Sequence, residues 1–130
     1  MNRDMAEEWL NSASGDLETI EEIIDNSNLT HIVAFHSQQC IEKSIKAVLE
    51  FYEVNVPKTH SILKLSKLAE NYFDIEDKEM ADELDKLYID ARYPGDFGLL
   101  PDGKPSCDKA DTLYLFAKKI YDKVDAIITM

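Results

Sequence analysis

Residues 30–53 read THIVAFHSQQCIEKSIKAVLEFYE, and the spacing of apolar side chains in this stretch decides the fold. Placed at about 100° per residue, Val33, Cys40, Ile41, Ile45, Ala47, Val48, Leu49, Phe51 and Tyr52 cover an arc of roughly 200°. A helix with so wide an apolar face touches more than one neighbour. Asn28 or Thr30 can cap its start. Asn55, Val56 and Pro57 end it, because Pro57 cannot donate a helical hydrogen bond and biases Val56 toward extended geometry. Within the arc, Ser37 and Ser44 either let another helix approach closely or bond back to the preceding turn. The opposite stripe collects His36, Gln39, Glu42, Lys43, Lys46 and Glu50, most of which a solvated face would explain.

Outward from this helix the same periodicity continues. Between Asp4 and Asp25, Trp9, Ala13, Leu17, Ile20 and Ile24 recur at spacings of three and four, with Glu7 and Glu8 in the first turn where the helix dipole favours anions. Thr59 or Ser61 opens a short third helix with Ile62, Leu65, Leu68 and Ala69 inside, ending near Tyr72. A fourth starts after Asp74, carries Met80, Leu84, Leu87, Tyr88 and Ala91, and is closed by Pro94. Ser106 caps a fifth, which carries Ala110, Leu113, Ala117, Ile120, Tyr121, Val124 and Ile128 on one face. No segment alternates apolar and polar at period two. The expected fold is therefore all-α: an antiparallel up-and-down four-helix bundle with one additional short helix, residues 1–130 forming a single domain. Residues 93–105 hold three of the four Gly and three of the four Pro, which makes this connector a folded loop with a task or a partner-binding one.

With 130 residues, 45% of them apolar, the chain fills one core without disulfides or metals. The formal net charge of −12 repels polyanions at long range, so bulk nucleic-acid binding is disfavoured. The charge is uneven. Residues 1–30 and 70–91 each carry −7, whereas 31–69 carry +2 and 92–130 are balanced. Cys40 and Cys107 lack a metal-ligand or disulfide spacing and read as reduced thiols. The start of the chain has no apolar targeting core, and the longest apolar run is the five residues Leu113 to Ala117, against the roughly 20 a membrane span needs. A cytoplasmic protein without membrane contact is expected.

Dinucleotide, P-loop, zinc-protease, serine-hydrolase and calcium motifs are all missing, and none of the three His follows a Glu by three positions. No metal, cofactor or catalytic residue is assigned. The remaining candidates are His36 and Gln39 together with Lys43, Lys46, Lys58, His60, Arg92 and Tyr93. Arg92 and Lys43 could grip phosphate oxygens while Tyr93 offers a stacking face. A plainer reading pairs Lys43 and Lys46 with Glu42 and Glu50 at helical spacing, and Arg92 with Asp90 or Asp96.

Three blocks in order, from Ala34 through His36, Gln39, Glu42 and Lys43 to Leu49, then Val56-Pro-Lys-Thr-His60 with Leu65, then Ala91-Arg-Tyr-Pro94, resemble the signature blocks of HEPN domains. The resemblance spans most of the chain. It implies a bundle of four long helices and a short one, usually a homodimer, and a nucleotide-binding or nucleotidyltransferase-associated role, often beside a separate minimal nucleotidyltransferase in a toxin-antitoxin-like setting. The ribonucleases of this family carry Arg, four to six variable residues, then His. After Arg92 those slots hold Phe97, Gly98 and Leu99, and after Arg3 they hold Glu8, Trp9 and Leu10. A non-catalytic accessory module is thus expected, with Lys43, Lys46, Lys58, His60, Arg92 and Tyr93 contacting a nucleotide. The alternatives are a ribonuclease or toxin using a non-standard His with Arg92, and a purely structural oligomerising module.

Overall fold

The computed structural model describes residues 1–92 and 104–129, with the backbone alone at 89–92. Its long helices are α1 (Arg3–Ile23), α2 (Thr30–Phe51), α4 (Lys78–Arg92) and α5 (Cys107–Thr129), and the short one is α3 (Ile62–Leu68). Each start carries a local reason. Asn2 accepts from the Met5 N–H, Ser61 from Lys64, Asp77 from Met80 and Ser106 from Lys109, so side-chain oxygens satisfy amides that no preceding turn can serve. A 3₁₀ turn at Ser27–Leu29, capped by Asn26, feeds directly into α2, so Leu29 stands at the start of that helix without a side-chain cap and neither Asn28 nor Thr30 plays the expected capping part.

The directions of the helices follow from their cross-contacts. The Asn2 amide donates to the Phe51 carbonyl at 3.2 Å and Lys43 reaches Asp16, so α1 and α2 are antiparallel. His60 sits on Glu42, Asp85 lies against Ser61 and Ile62, and Tyr88 stacks on Phe35, so α4 climbs as α2 descends. Lys104 meets the Asn28 carbonyl and the Cys40 thiol faces the Ala117 carbonyl, so α5 runs alongside α2 and against α1. This is the expected up-and-down bundle, and α2 packs against each of the other four helices.

The apolar stripes of α1, α2 and α5 land as their spacing predicts, whereas Leu68 of α3, expected inside, is exposed. Ala6, Leu10, Ala13, Leu17 and Ile20 of α1 meet the wide arc of α2 and the Ala110–Ile128 stripe of α5 in one continuous core. Two further expectations are corrected. The third helix ends at Leu68 rather than near Tyr72, because the chain turns on the Ala69 carbonyl, which accepts from both Tyr72 and Phe73. That turn sends Phe73 and Ile75 into the core, and burying both outweighs one further helical turn. The polar stripe of α2 is not a solvated face either, since Glu42 and Lys46 are buried.

The start of α3 is tied to α4 by a single carboxylate. Asp85 accepts from the Ile62 amide at 2.8 Å, the Ser61 hydroxyl at 3.1 Å and the Leu63 amide at 3.3 Å. Burial raises its pKa above the usual value, against the lowering effect of those three bonds. Asp85→Ala leaves two amides without an acceptor and should cost about 1–3 kcal/mol in urea unfolding, whereas Asp85→Asn should stay within about 1 kcal/mol of wild type. The folded state binds this proton before the unfolded state does. Wild type should therefore gain on Asp85→Asn as pH falls from the raised folded value toward the ordinary carboxylate value, and lose that gain as pH rises again.

Candidate functional site

The polar face of α2 carries two similar clusters on successive turns. In the first, Asp16 interrupts the apolar stripe of α1 and is buried with it. Its Oδ1 lies 2.8 Å from His36 Nδ1, and its Oδ2 accepts from Lys43 Nζ at 2.9 Å. In the second, Glu42 is only 4% exposed. Its Oε2 accepts from Lys46 Nζ at 3.0 Å, and its Oε1 lies 3.0 Å from His60 Nδ1 while also receiving Gln38 at 3.3 Å and Gln39 at 3.4 Å. Gln38 further donates to the His60 carbonyl at 2.6 Å and accepts from Gln39 at 2.7 Å. Each carboxylate thus holds one ammonium and one imidazole.

The tautomers follow from the acceptors. A carboxylate only accepts, so Nδ1 of His36 and of His60 carries the proton, and Nε2 is left as the nitrogen for anything outside. The side chain of His60 is 56% exposed and that of His36 is 25% exposed. The two imidazoles are the ends of a row of rings. His36 meets Phe35 edge-on at 5.3 Å, Phe35 stacks on Tyr88 at 5.5 Å, and Tyr88 lies 5.4 Å from His60. The Lys46 ammonium also sits 5.3 Å from the centroid of the Trp9 ring, a cation–π contact in which α1 shields the charge.

Lys43, Lys46 and His60 are therefore brought onto one side of α2, each against a buried carboxylate. The pairing of Lys43 crosses to α1 instead of following the helix. Lys58 is exposed on the loop before His60 and forms no ion pair among the described residues. Arg92 closes α4 one turn beyond Tyr88. Its side chain lies outside the described residues, as do Tyr93 and the loop to Gly103. Charge on this face is balanced, with two carboxylates against two ammoniums. An incoming anion competes with Asp16 and Glu42 for the lysines.

Asp16, Gln38 and Glu42 were not among the expected site residues. A signal for Asp16 exists, since it falls three residues after Ala13 and one before Leu17 and so lies inside the stripe that faces α2. For Glu42, a carboxylate four residues before Lys46 points to a pair but not to its burial. Cys40 is buried, and desolvation, followed by the field of Asp16, pushes its thiol up to about 12. It stays protonated and unreactive. Cys107 is exposed at the start of α5. Burial, then the charge of Lys104, lowers the pKa of His31. Among the described residues no group of three or more His, Cys, Asp or Glu is placed to hold a metal ion, and no helix is long and apolar enough to cross a membrane.

Comparison with known proteins agrees with this architecture. The family model described as HEPN domain matches residues 6–127. The crystal structure of an archaeal HEPN homologue superposes with a TM-score of 0.72 at 31% sequence identity, covering 96% of this chain and 98% of that one. No curated protein matches the sequence at a significant level.

Removing one member of a buried pair leaves the other charged and unsolvated. Glu42→Gln should therefore lower stability by about 3–5 kcal/mol in denaturant unfolding, and Glu42→Gln combined with Lys46→Met should recover most of that loss.

Proposed function

The chain belongs to the HEPN domain family, and from that premise we propose that it is a nucleotide-binding or nucleotidyltransferase-associated accessory protein that carries out no chemistry of its own. Its working form would be a homodimer partnering a separate minimal nucleotidyltransferase. The observation that carries the reading is His60, a ring pinned through Nδ1 to the buried Glu42 yet more than half open to solvent. Such a ring offers Nε2 and a face to a nucleotide at fixed cost in entropy, because the carboxylate has already oriented it. Lys58, two residues earlier and exposed, supplies a cation that no buried acid among the described residues holds. Arg92, one turn past Tyr88, gives the same end of α4 a guanidinium in a chain whose other Arg is Arg3.

The missing Arg-to-His spacing supports recognition over cleavage. A specific feature favours the ribonuclease alternative, since an imidazole oriented by a carboxylate is also the arrangement of a general base. One experiment addresses both. Titration calorimetry with ATP, GTP and their monophosphates should give saturable heats for wild type, weakened about tenfold, or roughly 1.4 kcal/mol, by Arg92→Ala, Lys58→Ala or His60→Ala. Identical heats in wild type and variants, or none in any, would remove the nucleotide site. Degradation of total RNA by wild type that is lost in His60→Ala would replace the accessory role with the enzymatic one.

A further inference from the structure

Where the chain turns from α3 toward α4, Leu63, Ser66, Lys67, Glu70, Asp74 and Lys78 line a cavity of about 290 Å³. Its frame is fixed. The Ala69 carbonyl accepts from the Tyr72 and Phe73 amides at 2.9 and 3.0 Å, and Lys123 of α5 donates to the Asp74 carbonyl at 3.0 Å. Phe73 and Ile75 on either side of Asp74 are buried, and Asp77 caps α4 just before Lys78. The Ser66 hydroxyl donates to the Leu63 carbonyl at 2.9 Å, so its oxygen is still able to accept.

The lining carries two ammoniums and two carboxylates, and they do not neutralise one another. None of the four comes within 4.0 Å of an opposite charge among the described residues. Their order in the chain would allow pairs in a continuous helix, Lys67 with Glu70 at a spacing of three and Asp74 with Lys78 at four. Here α3 ends at Leu68 and α4 begins at Lys78, so the turn between them holds these partners apart. The lysines of α5 give the two acids no relief, since Lys119 and Lys123 are bound to Glu76 at 3.2 and 3.0 Å. Elsewhere on α4 and α5 the lysines do find acids, Lys86 on Asp82, Lys109 on Glu83 and Lys118 on Asp122. One concavity therefore holds both signs with a gap between them. A lone anion or a lone amine entering it would meet its own charge as well as the opposite one, whereas a molecule carrying both charges on a short skeleton satisfies all four groups. The volume lies at the lower end for small-molecule sites, which suits a ligand of amino-acid size.

We propose that this cavity binds a small dipolar ion, a free α-amino acid, with its carboxylate on Lys67 and Lys78, its ammonium on Glu70 and Asp74, and its side chain against Leu63. No lining residue belongs to the nucleotide contacts Lys58, His60 and Arg92, so the site stands whether or not those bind a nucleotide.

The probe is L-alanine, titrated at constant pH and ionic strength into isotope-labelled protein and followed by amide NMR shifts. Acetate and ethylamine, with one charge each, are the controls. L-Alanine should give saturable shifts at Leu63, Ser66, Lys67 and Lys78 with a Kd of about 1 mM, while neither control saturates. Lys78→Gln and Asp74→Asn should each weaken binding about fivefold. Lys64→Gln, exposed on α3 but outside the cavity lining, should change it less than about twofold. Unchanged amide shifts in the other helices show that these variants are folded. No saturation by L-alanine up to about 50 mM overturns the proposal. Equal saturation by acetate makes the cavity an anion site and equal saturation by ethylamine a cation site, and either result overturns it. Weakening by Lys64→Gln as large as that by Lys78→Gln assigns the shifts to surface charge alone and overturns it too.

Discussion

Two carboxylates, Asp16 and Glu42, stand between the polar side of α2 and the helices around it, and the bundle can close on that side only because both are paired. Neighbouring helices cover α2 on nearly every side, so its charged residues cannot turn to water. Burying an unpaired lysine would cost several kcal/mol. With one ammonium and one imidazole on each acid, the face becomes a hydrogen-bonded layer compatible with close packing. The pairing also sets register. Sliding α1 along α2 by one turn would separate Asp16 from Lys43 and His36 together, a penalty that apolar side chains alone would not impose.

What could be read from the residues divides along the same line. Apolar spacing locates every long helix, because a stripe at three and four has one geometric meaning. Capping residues such as Ser106 and Ser61 place two of the starts. The inside stretch of α2 from Val33 to Phe51 is legible for the same reason. The pairing of Lys46 with Glu42 follows the helical spacing, but the fate of Lys43 is not legible, since a charged stripe looks identical whether water or a carboxylate from another helix completes it. Asp16 supplies that carboxylate from twenty-seven positions away. The early end of α3 is a tertiary decision too, made by the burial of Phe73 and Ile75 rather than by any breaker in the local sequence.

This arrangement changes what the candidate site offers. The candidate lysines are, at Lys43 and Lys46, internally compensated, which leaves Lys58 and the His60 ring exposed beside them. Their setting is rigid. His60 is held through its ring by Glu42 and through its carbonyl by Gln38, and it lies against a stacked Tyr–Phe pair.

The contrast between the two thiols gives the molecule a practical handle. Cys40 is sealed beneath α5 and stays protonated under any ordinary condition, while Cys107 opens α5 just after the Gly/Pro-rich connector. A maleimide dye added to the native protein would therefore couple at one defined point without mutagenesis. That point adjoins the segment between α4 and α5, so the label's anisotropy would follow the connector as ligands or partners are added.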